Sequence, residues 1–293
     1  MEILQKEWLR AVIPPRAENT HKGSFGRLVI LSGSEAYRGA PLLVSEGALR
    51  MGVGLVRLVS ERAVTDLACT AFPELLLSSV PPFCAWGSEE QNAALALCEG
   101  AQAIVVGPGC GVSEGLYDFI LALLSREGCA VLLDADALGA LARHREEAVL
   151  AVRGAKRPVV MTPHPLELGR LLGVSAAEIQ AHREHYARSF AEQTGASLLL
   201  KGQGTVITDG VRAYENPTGS SALAKGGSGD VLSGAVGALL GQGADPLAAL
   251  CAGAYLHGRA ADALAEELSR YGVTPSDLPK QMARELCALL GGA

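Results

Sequence analysis

Short apolar runs recur along the chain, each closed by glycine or polar residues and followed by a helical spacing of apolar positions. Residues 28–32 (LVILS), 55–59, 103–106 (AIVV), 131–133, 158–161 and 197–200 each read as a buried strand. Residues 41–51 between them carry the periodicity of a helix with one buried face. Apolar strands separated by helices predict βαβ units and a mostly parallel sheet. Residues 205–215 break this rhythm. Two alternating segments flank Asp209-Gly210, a pair that tolerates positive φ, and predict an antiparallel hairpin near the sheet edge. After Asp230 the pattern is helical to the chain end, rich in Ala, Leu and Gly. No linker, repeat or low-complexity stretch divides the chain, so the expectation is one α/β domain over residues 1–293.

Composition narrows the chemistry. Hydrophobic residues make up 49% but aromatics only 4%, and 35 glycines point to close packing of small side chains. The net charge is -6, and no Lys/Arg block is interleaved with aromatics. That balance argues against a nucleic-acid partner, so any anionic ligand has to be gripped locally. The 7 cysteines form no CxxC pair, as expected of free thiols in a reducing compartment. The opening MEILQKEWLR lacks the apolar core of a signal peptide, and no apolar run has transmembrane length. The expectation is a soluble, cytoplasmic protein with no membrane partner.

In open α/β sheets, ligands sit outside the carboxyl ends of the strands. The polar and glycine motifs fall at such ends: GPGCG at 107–111, DAD at 134–136, TPHP at 162–165 and KGQG at 201–204. The richest is NPTGSSALAKGGSGDVLSG, residues 216–234. There Gly226, Gly227, Ser228 and Gly229 open a helix whose first amides lack helical partners, an arrangement suited to phosphate. A carboxylate beside bound phosphate needs a task. Asp230 could take the proton of a hydroxyl attacking phosphorus, or could simply cap the helix; the glycine density favours the base. Lys201 ends a strand, and the glycines after it leave room for a nucleotide, with Thr205 offering a hydroxyl. Asp134 and Asp136 could meet substrate hydroxyls or Mg2+, or one of them could cap the next helix. His164, between two prolines, could contact a ligand. A GxxxxGKS/T phosphate loop and a well-formed dinucleotide fingerprint are both missing.

Taken together, HKGSFGRLVILSGS (21–34), YRGAPLLVSEGALRMGVGLV (37–56), VVGPGCG (105–111), LLDADAL (132–138), TPHPLELGRLLG (162–173), KGQGTVITDG (201–210) and GGSGDVLSG (226–234) resemble the ADP-dependent NAD(P)H-hydrate dehydratases. The resemblance runs from about residue 14 to about residue 290. GxGD is common to ribokinase-like kinases, whereas HKG, YxGA and TPHP together mark the dehydratase branch. The resemblance implies a ribokinase-like three-layer α/β/α sandwich with a mostly parallel sheet and an edge hairpin. It implies repair of hydrated nicotinamide cofactors, the S-epimers of NADHX and NADPHX, with ADP (ATP in some members) and Mg2+. The ring hydroxyl would be phosphorylated and phosphate then eliminated, leaving AMP and NADH or NADPH.

By position, the resemblance makes Asp230 the catalytic base and a substrate contact. Ala40, Gly109 and His164 become contacts to the hydrate. Lys201, Gly202, Gln203, Gly204, Thr205 and Gly229 become nucleotide contacts, and Gly226, Gly227, Ser228 and Gly229 the anion hole. Asn216 and Gly219 match an NxTG element. His257-Gly258 matches an HG pair for which packing and ligand roles are both open. The sequence departs from the family at Leu166 (usually Gly), at Gly139 (usually Asn), and at Ser220, Ser221, Leu223 and Lys225. Lys225, beside the anion hole, is placed to strengthen a phosphate grip. The resemblance also implies a homo-oligomer, often a tetramer, and functional pairing with a separate NAD(P)H-hydrate epimerase. The rival expectation is a small-molecule kinase of the same superfamily, acting on a vitamin precursor or sugar. A non-catalytic nucleotide-binding regulator would need a broken base or anion hole. A hydride-transferring dehydrogenase would need the missing fingerprint.

Overall fold

The computed structural model describes residues 1–291. Its strands are β1 Glu2–Ile3, β2 Arg27–Leu31, β3 Leu55–Glu61, β4 Leu76–Val80, β5 Ala103–Val106, β6 Ala130–Leu133, β7 Val159–Met161, β8 Ser197–Leu200, β9 Thr205–Thr208 and β10 Ala213–Asn216. They form one 10-stranded sheet in the order β1-β10-β9-β8-β7-β6-β5-β2-β3-β4. Strands from β4 across to β8 pair in parallel; β9 is antiparallel to both β8 and β10.

Alternation along each strand sends side chains to opposite faces and so builds two cores. In β2, Leu28 and Ile30 join a core with Val231, Val236 and Leu250, while Val29 and Leu31 join another with Phe119, Leu138 and Phe190. Helices cover both faces, giving the three layers expected. The hairpin also forms, but β10 is not the outermost strand: two residues of β1 pair with it in parallel. Neither β1 nor β4 is visible in the apolar pattern. β1 is too short for a period, and β4, LLSSV, is half-exposed throughout.

The helix Ser228–Gly241 is held against the helix Ala40–Arg50 at contact distance. A Cβ at Gly234 would lie 1.9 Å from the Val44 carbonyl oxygen, and one at Gly47 would lie 2.5 Å from that of Val231. Only glycine allows backbones this close. This crossing anchors the helix that starts at the glycine loop.

Candidate active site

The helix begins at Ser228, two residues before Asp230, with Gly227 as its N-cap at φ 102. Asp230 is therefore inside the first turn and makes no cap hydrogen bond. The capping alternative is thus removed by position. Burial, followed by the nearby Asp134 charge, pushes the Asp230 carboxyl up to about 7, although Lys201 pulls the other way. Among the described residues the amides of Gly229 and Asp230 have no hydrogen-bond acceptor, while that of Ser228 donates to the Lys225 carbonyl (3.3 Å). The amides of Gly226 and Gly227 likewise have no acceptor among the described residues, so the free donors run from Gly226 to Asp230 with Ser228 as the exception.

Asp134, at the end of β6, is 1% exposed. It accepts from Lys201 Nζ (2.8 Å) and from Ser233 Oγ (2.6 Å). Lys201 is itself only 21% exposed and lies 3.9 Å from Glu167. Burial alone would lower its pKa, but Asp134, Glu167 and Asp230 together raise it, so it stays charged. A Cβ on Gly229 would sit 3.4 Å from Lys201 Nζ and 4.0 Å from Asp134 Oδ2. Residues 134, 201 and 229–230 thus meet in one corner. Asp136 accepts from the Gly111 amide (2.8 Å), tying DAD to GPGCG. Neither acid caps the following helix, which has Ala135 at its N-cap with φ 50. A non-glycine residue held at positive φ marks stored strain.

His164 is the N-cap of the helix Pro165–Leu172. Its Nδ1 accepts from the amides of Leu166 (3.2 Å) and Glu167 (3.3 Å), and Glu167 Oε2 accepts from the His164 amide (2.7 Å). An accepting Nδ1 puts the proton on Nε2. Burial, then the Lys201 charge, lowers the His164 pKa, so at neutral pH the ring is an uncharged Nε2–H donor. Burial raises the Glu167 carboxyl. The TPHP loop reaches the corner because the Lys201 amide donates to the Pro163 carbonyl (2.9 Å). Gly109 and Ala40 also come together: a Cβ on Gly109 would lie 3.1 Å from that of Ala40.

A cleft of about 750 Å³ opens beside this corner. Lys201, Gly202, Gln203, Gly204, Thr205, Gly219, Ser228, Gly229 and His257 line it, with Leu199, Leu223, Leu232 and Ala254 as apolar wall. Asp230, His164, Ala40 and Gly109 are not in its lining, so the structure separates the residues expected to touch nucleotide from those expected to touch the second substrate.

Some functional elements are invisible in the sequence. Arg183, on the helix Arg183–Thr194, donates to the carbonyls of Leu200 (2.9 Å), Lys201 (3.2 Å) and Gly204 (3.3 Å) and so templates the KGQG loop. No local pattern distinguishes it from the other charges of that polar helix. Other motifs make contacts within the fold. His21 caps a short turn through Gly23, and the Lys22 carbonyl lies where a Cβ on Gly54 would stand. Asn216 bridges to the Ala254 carbonyl (3.1 Å). Lys225 does not face the anion hole; its Nζ donates to the carbonyls of Tyr271 (2.6 Å) and Val273. Leu166 stands in the first turn of its helix with its side chain exposed.

Comparison with known proteins agrees with this geometry. The family model described as NAD(P)H-hydrate dehydratase matches residues 28–284. The ADP-dependent (S)-NAD(P)H-hydrate dehydratase of Neisseria meningitidis is 38% identical over 87% of this chain and 82% of its own length. A bifunctional NAD(P)H-hydrate repair enzyme of Moorella thermoacetica is 37% identical over 94% of this chain, which spans about half (52%) of that relative. The crystal structure of the ADP/ATP-dependent NAD(P)H-hydrate dehydratase from Bacillus subtilis, co-crystallised with ATP/Mg2+, superimposes with a TM-score of 0.86. It is 31% identical, with 98% of each chain covered. Fold, motif order and the matched span agree: the sheet and its two helical layers are ribokinase-like, and this chain belongs to the NAD(P)H-hydrate dehydratase family.

Proposed function

We propose that this chain uses ADP to dehydrate the S-epimer of hydrated NADH or NADPH, releasing AMP, phosphate and the restored cofactor. The observation that carries this reading is the placement of Asp230. A carboxyl pushed up to about 7 stands next to two unpaired helix amides, at the edge of a cleft large enough for a nucleotide.

Asp230 takes the proton of the ring hydroxyl as its oxygen forms a bond to the terminal phosphorus of ADP. The bond from that phosphorus to the bridging oxygen breaks, and AMP departs. The free amides of Gly229 and Asp230, with Lys201, face the charge that develops on the transferring group. The carbon–oxygen bond of the phosphorylated hydrate then breaks, phosphate leaves with the electron pair, and a proton lost from the neighbouring carbon restores the ring double bond. His164, as a neutral Nε2–H donor, and the Ala40–Gly109 contact line the side where the hydrate would lie. Lys201, Gly202, Gln203, Gly204 and Thr205 hold the nucleotide.

Mg2+ fits as a guest of the phosphates. Among the described residues no group of three or more His, Cys, Asp or Glu is placed to hold a metal. Mg2+ commonly takes one or two carboxylates plus phosphate oxygens. Asp136 and Glu167 would meet it, because each has one carboxylate oxygen outside its bond to a backbone amide, whereas both oxygens of Asp134 are taken by Lys201 and Ser233. Bound there, the ion would neutralise phosphate charge. The proposal also takes the chain as one catalytic domain, acting in the cytoplasm as a homo-oligomer, a tetramer by resemblance. A NAD(P)H-hydrate epimerase would supply its S-epimer. Light scattering that returned a monomer at working concentration would remove the oligomer.

The test is to follow the dihydronicotinamide absorbance of hydrated NADH with Mg2+ and ADP, and to assay free phosphate in parallel. Absorbance recovery with one phosphate released per ring restored is expected. AMP formation from ADP without ring recovery, on a panel of hydroxylated metabolites, would instead mark a kinase.

A further inference from the structure

Four buried side-chain atoms have no hydrogen-bond partner among the described residues: Ser45 Oγ, Thr162 Oγ1, Ser228 Oγ and His257 Nε2. Two of the four, Ser228 and His257, line the same cleft. His257 is 6% exposed and Ser228 5%. An unpaired buried polar atom is costly, and native interiors leave few of them. The two residues share one cleft wall, and the Ser228 backbone also faces the His257 ring.

The ring is aimed by its own helix. His257 lies on Pro246–Gly272, one turn after Ala254, which lines the cleft as well. The next residue, Gly258, packs so tightly that a Cβ there would lie within 2.6 Å of the Thr218 backbone carbon. That contact fixes the helix rotation and leaves residue 257 facing the cleft. Burial pushes the His257 ring down to about 4, so at neutral pH it is a hydrogen-bonding group and not a counter-ion. Ser228 opens the helix whose next two amides are free, whereas Leu199, Leu223 and Leu232 supply apolar wall suited to a base. The oxygen-rich part of a nucleotide therefore belongs at Ser228.

We propose that His257 Nε2 and Ser228 Oγ form a polar contact for the ribose–phosphate oxygens of ADP and set its azimuth relative to Asp230. This rests on the reading of the cleft as the ADP site. It resolves the HG pair into two tasks: His257 binds, Gly258 packs.

Calorimetric titration with ADP tests the contact in wild type, His257→Leu, His257→Gln and Ser228→Ala, with the melting temperature of each free protein measured alongside. His257→Leu should raise the ADP dissociation constant about tenfold while leaving the free protein's melting temperature unchanged or higher, because a buried orphan is removed. His257→Gln should recover part of the affinity, and Ser228→Ala should cost a few-fold. In wild type, the His257 imidazole 15N resonances should shift on adding ADP. Undiminished ADP affinity in His257→Leu, or wild-type imidazole resonances that ignore ADP, would overturn the contact alone. Wild type that binds no ADP would overturn the nucleotide reading and the contact with it.

Discussion

The corner around Asp134 and the cleft beside it are built on opposite terms. In the corner, Asp134 is bonded to Lys201 and Ser233, Asp136 to the Gly111 amide, and Glu167 to the His164 amide. Asp230 stands among these partnered acids with no side-chain hydrogen bond among the described residues, and burial plus the Asp134 charge keeps its proton affinity high. The cleft instead presents the free amide of Gly229 and orphaned atoms on Ser228 and His257. The corner is set by the protein's own charges before any substrate arrives. In the proposed reading the cleft is completed by its ligand. Preorganised charge suits a group that must act on a proton, and unpaired donors suit a group that must hold and release a nucleotide.

The sharpest way to break this contrast is Asp230→Asn. Turnover should fall by about 10²–10⁴-fold with ADP affinity retained, as measured by steady-state rates and calorimetry. Stability should move the other way. The folded protein holds the Asp230 proton up to about pH 7, while an unfolded chain releases it near 3.9, so wild-type stability falls as pH rises through that window. Asp230→Asn should therefore melt higher than wild type at pH above about 7, and the gap should close towards pH 4. Lys201→Met comes next: it leaves Asp134 buried and short of its main partner. A loss of about 3–5 kcal/mol is expected by denaturant titration, and unchanged stability would mean that the corner is not held by this pair. Arg183→Gln lies on the boundary between the regions. It should raise the KM for ADP about tenfold with little change in kcat, since it supports the nucleotide loop through its carbonyls. Leu166→Gly should do least: activity within about twofold and a stability loss of about 0.5–1 kcal/mol from glycine in a helix.

The central strands were legible because parallel strands buried on both faces are apolar end to end. The edges were not: β1 offers two residues and β4 alternates weakly. In the site, the glycine loop and the strand-end motifs could be read because each is local. The pairing of Asp134 with Lys201 spans 67 positions and depends on strands β6, β7 and β8 lying side by side. Arg183 reaches the loop from a helix whose charges all look alike in sequence. Lys225 shows the converse error: adjacency to the anion hole suggested phosphate, but the side chain turns to the carbonyls of Tyr271 and Val273. HKG secures a turn near Gly54.

The central claim is that Asp230 acts as a base whose proton affinity the corner has raised. The most direct test is the pH dependence of kcat/KM for ADP, in wild type and in Glu167→Gln, whose own carboxyl is also raised. A base must be ionised to work, so activity should fall as pH drops, with an acid limb centred near pH 7 in both proteins. A limb only below about pH 5, in the range of an ordinary carboxylate, or one that disappears in Glu167→Gln, would contradict it.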